Sequence, residues 1–358
     1  MSPSFTAPPP ATPGDTVLLS FPAPHILLVT LNRPAQRNAV NSAQHAALAS
    51  IWDWFDAEPS LRCAVITGAG HTAFCAGADL KEWDGSFNSA TQANESDEIK
   101  RARAARASEQ RRRNRNGGFG GLSNRGGKKP VIAAVNGLCL GGGFEMMINC
   151  DLVVAERTRA RFGLPEVTIG VVAVAGALPR LVQVVGRQRA SEMAMTGRIN
   201  YSAEKMASWG VVNELVEGGR EAVVKKAVEI AKEICGNSPD AVIVTREGIL
   251  LGMEGLGLET ATEVCERGLY AGIASGENMR EGVKSFVERR KAVWVDISRV
   301  TDGLLKNSIS TTNFLVSTSL VPGIIDAGSF FPWKYVRASA GRFKLEMVWP
   351  DGVSNFHQ

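Results

Sequence analysis

The chain has only four histidines, and its six cysteines, at 63, 75, 139, 150, 235 and 265, never form a CxxC pair. Without paired thiols or a histidine cluster, no metal site is expected. The cysteines read instead as buried free thiols of a reducing compartment. No run of about 20 uninterrupted apolar residues occurs, so neither a membrane span nor a membrane partner is expected. The N-terminal MSPSFTAPPPATPGDT lacks an apolar core and arginines, so it reads neither as a secretory signal nor as a good mitochondrial presequence. The C-terminal Phe356-His-Gln358 is not an SKL-type signal. The expected compartment is cytoplasmic or peroxisomal, without export. Neither GxGxxG nor GxxxxGK[ST] occurs, which counts against a nucleotide-binding loop.

What is present suits a folded chain with a large core: 44% hydrophobic and 21% charged residues, and a net charge of +4. Residues 1–15, rich in Pro, Ser and Thr, are expected to be disordered. An α/β core is expected over 16–215. In it Thr16–Phe21 and His25–Leu31 read as strands, Ser42–Asp56 as a helix and Cys63–Thr67 as a buried strand. Residues 95–129 form a basic insert, from Lys100 and Arg101 to Lys128 and Lys129. Within it the Gly- and Asn-rich Asn114–Gly127 reads as a flexible surface loop.

Order returns with the strand Val131–Val135, a helix from Phe144, the strand Leu152–Ala155 and a short segment near Arg161–Phe162. Helical spacing then covers Ala177–Val185, Arg189–Thr196, Ala203–Trp209, Glu221–Cys235, Pro239–Leu251, Leu258–Ala274 and Asn278–Arg290. Residues 216–296 thus make a C-terminal helical region. Residues 297–358 show no sustained period and read as an atypical, poorly ordered extension.

Two small-residue turns carry the chemical signal. Phe74-Cys-Ala-Gly-Ala-Asp-Leu-Lys81 follows a strand and opens a helix near Leu80, so no large side chain blocks its amides. Val131–Glu145 runs a buried strand into Gly141–Gly143, again exposing bare N–H groups at a helix start. Taken alone, the first is better explained by a purely structural turn, and the second has a phosphate-binding loop as its alternative. Two such donors converging on one oxygen would form an oxyanion hole for a thioester enolate. Glu145, in the first turn of an apolar helix, and Glu166, after Phe162-Gly-Leu-Pro165, are carboxylates in apolar settings. Such groups are paired, capping or functional, and two of them at one thioester would divide acid and base roles.

The runs LNRPAQRNAVN, FCAGADLKEW, KKPVIAAVNGLCLGGGFEMMINCDLVVA and RFGLPEVTIG together resemble the crotonase superfamily, the enoyl-CoA hydratase/isomerase family, over about Thr16–Val295. The resemblance implies an α/β fold built as a crotonase-like (ββα) superhelix with a C-terminal helical trimerisation region. It implies an acyl-CoA substrate, no cofactor beyond the coenzyme A carried by that substrate, and a homotrimer or hexamer. Ala78 and Gly142 match the oxyanion amides. Ala76, Asp79, Leu80, Lys81 and Gly141 match the substrate and coenzyme A contacts. Glu145 and Glu166 match the glutamates of the family's hydratases, where the pair holds and deprotonates water for C3 and the second delivers a proton to C2.

Val174 replaces a glycine of the family pattern and is expected to add bulk at the acyl end. The run is also similar to fungal members of secondary metabolism and siderophore acyl assembly, some of which act on branched acyl-CoA such as mevalonyl-CoA. The alternative within the family is a Δ3,Δ2-enoyl-CoA isomerase working through Glu166. A third reading has the basic insert binding RNA in addition to catalysis, although Phe119 is its one aromatic residue; nucleic acid is otherwise not an expected partner.

Overall fold

The computed structural model describes residues 5–82 and 117–296, and the backbone of two strands in the C-terminal extension. The chain opens with the antiparallel hairpin β1 (Val17–Ala23) and β2 (Ile26–Leu31). Helix α1 (Ser42–Ala57) starts at Asn41. The Asn41 side chain accepts from the Gln44 amide, while the Gln44 side chain returns to the Asn41 N–H, satisfying two donors that a helix start leaves open.

Then come β3 (Cys63–Gly68), β4 (Ala73–Cys75), β5 (Val131–Val135) and β6 (Leu138–Leu140). They are followed by α2 (Gly142–Ile148), β7 (Leu152–Glu156), β8 (Arg161–Gly163), α3 (Ala177–Val185) and α4 (Arg187–Thr196). The core closes with β9 (Tyr201–Ser202), α5 (Ala203–Ser208), β10 (Glu214–Val216) and α6 (Gly219–Cys235). Beyond it lie α7 (Pro239–Met253), α8 (Leu258–Cys265) and α9 (Glu277–Val287).

The strands alternate between two sheets as the chain advances. One sheet has the order β1-β2-β3-β5-β7-β10, and the other β4-β6-β8-β9. All pairings are parallel except β1–β2 and β8–β9. Each pass thus lays one strand in each layer, which is the repeating superhelix expected from the family resemblance.

A sheet covered on both faces needs apolar side chains at every position. Strands β2, β3 and β5 are buried throughout. Their residues divide with period two. Leu27, Val29, Leu31, Ala64, Ile66, Ala133 and Val135 enter the main core with α1 and α2. Ile26, Leu28, Cys63, Val65, Ile132 and Ala134 meet Val223, Ala227 and Ala231 of α6 on the other face. All six cysteines are unpaired, four of them buried.

Three expectations change. The N-terminal segment is packed from Phe5 onward. The Phe5 ring lies 4.8 Å from Phe21 and 5.3 Å, edge-on, from Trp54. The Trp54 indole donates to Ala7 O at 2.9 Å, and the Thr6 amide to Glu58 Oε2 at 2.8 Å. One aromatic anchor and two polar ties outweigh the proline-rich composition.

The second change concerns the end of the basic insert, expected as a surface loop. Residues 117–129 pack against α1 and α2. The Trp52 indole donates to Gly120 O at 3.0 Å. A Cβ on Gly120 would lie 2.3 Å from Met146 Sδ, and one on Gly121 2.5 Å from Ala49 Cα, so these glycines serve close approach. Arg125 and Lys129 are buried. Arg125 pairs with Asp56, whose Oδ1 also accepts the Lys128 and Lys129 amides at 3.1 Å, and Lys129 Nζ donates to Phe55 O and Glu58 O.

Third, the helix expected over Leu258–Ala274 is interrupted by a π turn, Glu266–Tyr270, centred on Gly268. The helix expected near Leu80 begins there, and residues 83–116, holding its continuation and most of the basic insert, lie outside the described residues. So do residues 297–358, apart from the antiparallel pair β11 (Trp333–Ala338) and β12 (Arg342–Met347) in a separate unit, Ile309–Gln358.

Removing one partner of a buried, multiply bonded ion pair is costly because the other charge stays behind. Asp56→Ala is therefore expected to lower unfolding stability by about 3 kcal/mol. Urea unfolding measures this, and a loss below about 1 kcal/mol would show that Asp56 does not anchor the 117–129 segment.

Candidate active site

Parallel pairing of β4 with β6 sets Cys75 opposite Cys139, so the turns that follow the two strands leave the sheet side by side. Buried Asn38 and Asn136 hold the corner before β4. Asn38 Nδ2 donates to Ala69 O and Ala73 O, and Asn136 Nδ2 to Gly68 O and Gly70 O. The turns approach so closely that a Cβ on Gly77 (φ +97°) would lie 3.2 Å from Leu140 O and 3.3 Å from Gly142 N. A Cβ on Gly143 would lie 2.3 Å from Cys75 O. Backbone here meets backbone.

This contact exposes two amides. Ala78 forms a parallel bridge with Val40, in which Val40 N donates to Gly77 O at 2.9 Å and Asp79 N to Val40 O at 3.0 Å. Those bonds use the residues on either side, so the N–H of Ala78 points away from Val40. Gly142 is the first residue of α2, where helix geometry leaves amides without an intrahelical acceptor. The two donors sequence reasoning paired, Ala78 and Gly142, thus sit on adjoining turns.

The carboxylates lie beside them. Glu145, in the first turn of α2, is 4% exposed. Its Oε1 accepts from Ala175 N at 2.8 Å and Ala177 N at 3.3 Å. Burial pushes its pKa up to about 7, and the nearby Glu166 charge adds to the rise, while the two amides and Arg180 oppose it. Glu166 opens a short 3-10 turn, Glu166–Ile169, after Pro165. Its Oε1 would be 3.2 Å from a Cβ on Gly141, so it sits over the bare α-carbon of that glycine (φ +55°). Its Oε2 is buried and has no hydrogen-bond partner among the described residues. Burial raises the Glu166 pKa as well. With both pKa values raised, the two carboxylates resist being charged together, and their titration belongs to the pair.

The remaining expected residues lie around the rim. The Ala76 amide donates to Arg37 O at 3.0 Å, and Asp79 Oδ2 is held by Arg33 at 2.9 Å. Leu80 is 50% exposed and Lys81 is exposed. Val174 was expected to bring bulk into the acyl end, yet it is 83% exposed, because its neighbour Ala175 turns inward to Glu145.

Sequence reasoning missed five participants. Ala175 and Ala177 act through backbone N–H groups, so their side chains carry no signal. Phe119 projects from the glycine-framed 117–121 turn, and its ring atoms would come within 2.7–2.8 Å of a Cβ on Gly142. His45 meets that ring edge-on at 6.0 Å. Ser123 is fully buried, accepts from Phe119 N at 2.6 Å and donates to Ala175 O at 2.7 Å. One aromatic residue between two Gly-Gly pairs was the available clue. With Phe119 on Gly142 and two basic residues buried, the described part of the insert offers no stacking platform of the kind RNA binding uses.

The sequence profile of the enoyl-CoA hydratase/isomerase family matches residues 23–109 and 120–297. The chain is 56% identical over 294 residues to mevalonyl-coenzyme A hydratase SIDH of Beauveria bassiana, covering 82% of this chain and 99% of that protein. It is 49% identical to the mevalonyl-coenzyme A hydratase sidH of Aspergillus fumigatus, covering 77% and 94%. Among solved structures, a probable enoyl-CoA hydratase/isomerase from Mycobacterium abscessus has a TM-score of 0.64 at 38% identity, covering 78% of this chain and 98% of that one.

Because the folded-state pKa of Glu145 lies above its ordinary 4.5, its contribution to stability is full below about pH 4.5 and is lost as the pH rises through about 7. Glu145→Gln keeps the oxygen that accepts the two amides and removes the charge. The variant is expected to gain on wild type between pH 5 and 8, reaching on the order of 2–3 kcal/mol. Denaturant unfolding at several pH values checks this; a difference independent of pH would contradict a raised Glu145 pKa.

Proposed function

The chain belongs to the enoyl-CoA hydratase/isomerase family, and we propose that it adds water across the 2,3 double bond of a branched enoyl-CoA, or runs the reverse dehydration, with Glu145 and Glu166 as the acid/base pair. The observation that carries this reading is the placement of two carboxylates, both with pKa values raised by burial, beside two unblocked amide turns. In the proposed step the thioester oxygen lies against the Ala78 and Gly142 amides, which stabilise the enolate as charge develops. Glu145, as carboxylate, takes a proton from water while the hydroxyl bonds to C3, and Glu166, protonated, supplies the proton to C2. The pair starts and ends with one proton. Coenzyme A enters as part of the substrate, and Ala76, Asp79, Leu80, Lys81 and Gly141 are the proposed rim contacts.

Branched acyl groups are favoured by the likeness to two proteins named mevalonyl-coenzyme A hydratases. The Phe119 ring against Gly142 supplies an aromatic wall at the same place.

The same reading includes assembly of copies into a trimer or a pair of trimers. Helices α7 and α8, with the turn beyond α8, share a small core of Ile243, Val244, Leu269 and Ile273. Meanwhile α9 leaves Val283, Phe286 and Val287 at 64, 85 and 74% exposure. Apolar surface of that kind is what an interface between copies buries. Light scattering should give three or six times 38.3 kDa; a monomer at micromolar concentration would rule the assembly out.

A screen of straight and branched 2-enoyl- and 3-enoyl-CoA thioesters with wild type, Glu145→Gln and Glu166→Gln tests the chemistry. Each substitution is expected to lower hydration by about 10²–10⁴-fold. Full activity in Glu145→Gln sinks the two-glutamate mechanism. Conversion of a 3-enoyl thioester while the 2-enoyl absorbance stays constant would make the protein an isomerase working through Glu166.

A further inference from the structure

Glu145 is aimed by the backbone of a loop exposed at alternate residues, with Ala173 buried between Val172 and Val174 and Ala177 buried at the start of α3. In that loop Val172 and Val174 are 53% and 83% exposed, yet Ala175 and Ala177 supply both donors to Glu145 Oε1. A donor on an exposed loop orients a carboxylate only if the loop is itself held.

At Ala175 the hold comes from Ser123. A backbone amide can only donate and a carbonyl can only accept. The Ser123 hydroxyl therefore accepts from Phe119 N at 2.6 Å and gives its one proton to Ala175 O at 2.7 Å, with no second arrangement open to it. Ala175 is fixed on both sides, through its N–H by Glu145 and through its C=O by Ser123. The next residue, Gly176, has φ +125°, and a Cβ there would lie 2.9 Å from Ser123 O. Arg180 closes the same corner, donating to Gly176 O and to Asn124 Oδ1, each at 3.1 Å.

We propose that Ser123 is a positioning residue for the acid/base chemistry, fixing through the Ala175 peptide the direction of the amide that holds Glu145. The inference rests on the reading of Glu145 as a proton-transfer group. Ser123 itself touches no reacting atom. Its loss frees the Ala175 amide, so the carboxylate loses orientation and a donor that favours its ionised form. The charged groups facing Glu145 are Glu166, from the turn after β8, and Arg180, from α3. Both remain when Ser123 is changed.

The test combines Ser123→Ala and Ser123→Thr with a Glu145→Gln background. Ser123→Ala is expected to lower kcat by about ten- to a hundredfold with KM nearly unchanged. It should also raise the titration midpoint of Glu145, followed by its carboxylate infrared band and assigned by that band's absence in Glu145→Gln. Ser123→Thr, which keeps the hydroxyl, restores both. In the Glu145→Gln background Ser123→Ala adds no further loss, because the group it acts through is already gone. An equal loss in both backgrounds, or an unmoved Glu145 midpoint, overturns the proposal and leaves Ser123 a packing residue. If Ser123→Ala does not fold, Ser123→Cys, with a weaker donor of similar size, carries the same comparison. The infrared titration needs no turnover. A wild-type protein inactive on every thioester would defeat the hydratase reading while this measurement still decides the role of Ser123.

Discussion

The site depends on the contact of the Cys75–Asp79 turn with Gly141–Gly143, where main chain lies on main chain. Parallel pairing of β4 and β6 brings the turns to one edge, and the hydrogen faces of Gly77 and Gly143 let them close. Much of the site follows from that approach. The Ala78 bridge to Val40 turns one amide outward, and the start of α2 supplies the other. Glu145 is carried inward on the same short helix, and Glu166 fits over the α-carbon of Gly141 because nothing projects there. The alternation of strands between two sheets has the local effect of stacking several strand ends at one place.

Burial of two carboxylates at that edge would be unfavourable in a folded protein unless each charge were relieved. Glu145 is relieved on one oxygen by two amides, and burial still raises its pKa to about 7. Glu166 keeps an oxygen with no partner among the described residues. The molecule treats its other buried charges differently. Arg125 pairs with Asp56 and Lys129 Nζ donates to the carbonyls of Phe55 and Glu58, so they serve the scaffold, although Arg125 Nε also has no partner among the described residues.

Much of the fold was legible because its long elements repeat a period. β2, β3 and β5 read as apolar runs, and α3 and α6 as amphipathic helices, since each must feed a core on one or both faces. The strands of two or three residues, β4, β6, β9 and β10, are too short to show a period and exist only through pairing. The insert misled because glycine-rich, basic composition is shared by flexible loops and by segments threaded tightly under helices. Gly120 against Met146 and Gly121 against Ala49 belong to the second kind. In the site, Glu145, Glu166, Ala78 and Gly142 could be named from motifs whose side chains, or lack of them, matter. Ala175 and Ala177 could not, because an amide donor is the same in every residue but proline. Ser123 was hidden for a related reason: a lone serine in a glycine-rich run looks like any polar loop residue until its two partners are seen.

The bare α-carbon of Gly141 has a consequence for directed evolution. A methyl group there would meet Glu166 Oε1 at 3.2 Å, and one on Gly143 would meet Cys75 O at 2.3 Å. A mutant library gains nothing from codons in this run, since almost any change displaces a working group. In the neighbouring loop the side chains of Val172 and Val174 stand out in solvent, while Ala173 between them is buried and Ala175 is tied to Ser123. Selection for new acyl groups has its widest freedom on that rim, a few residues from acid/base chemistry that it need not disturb.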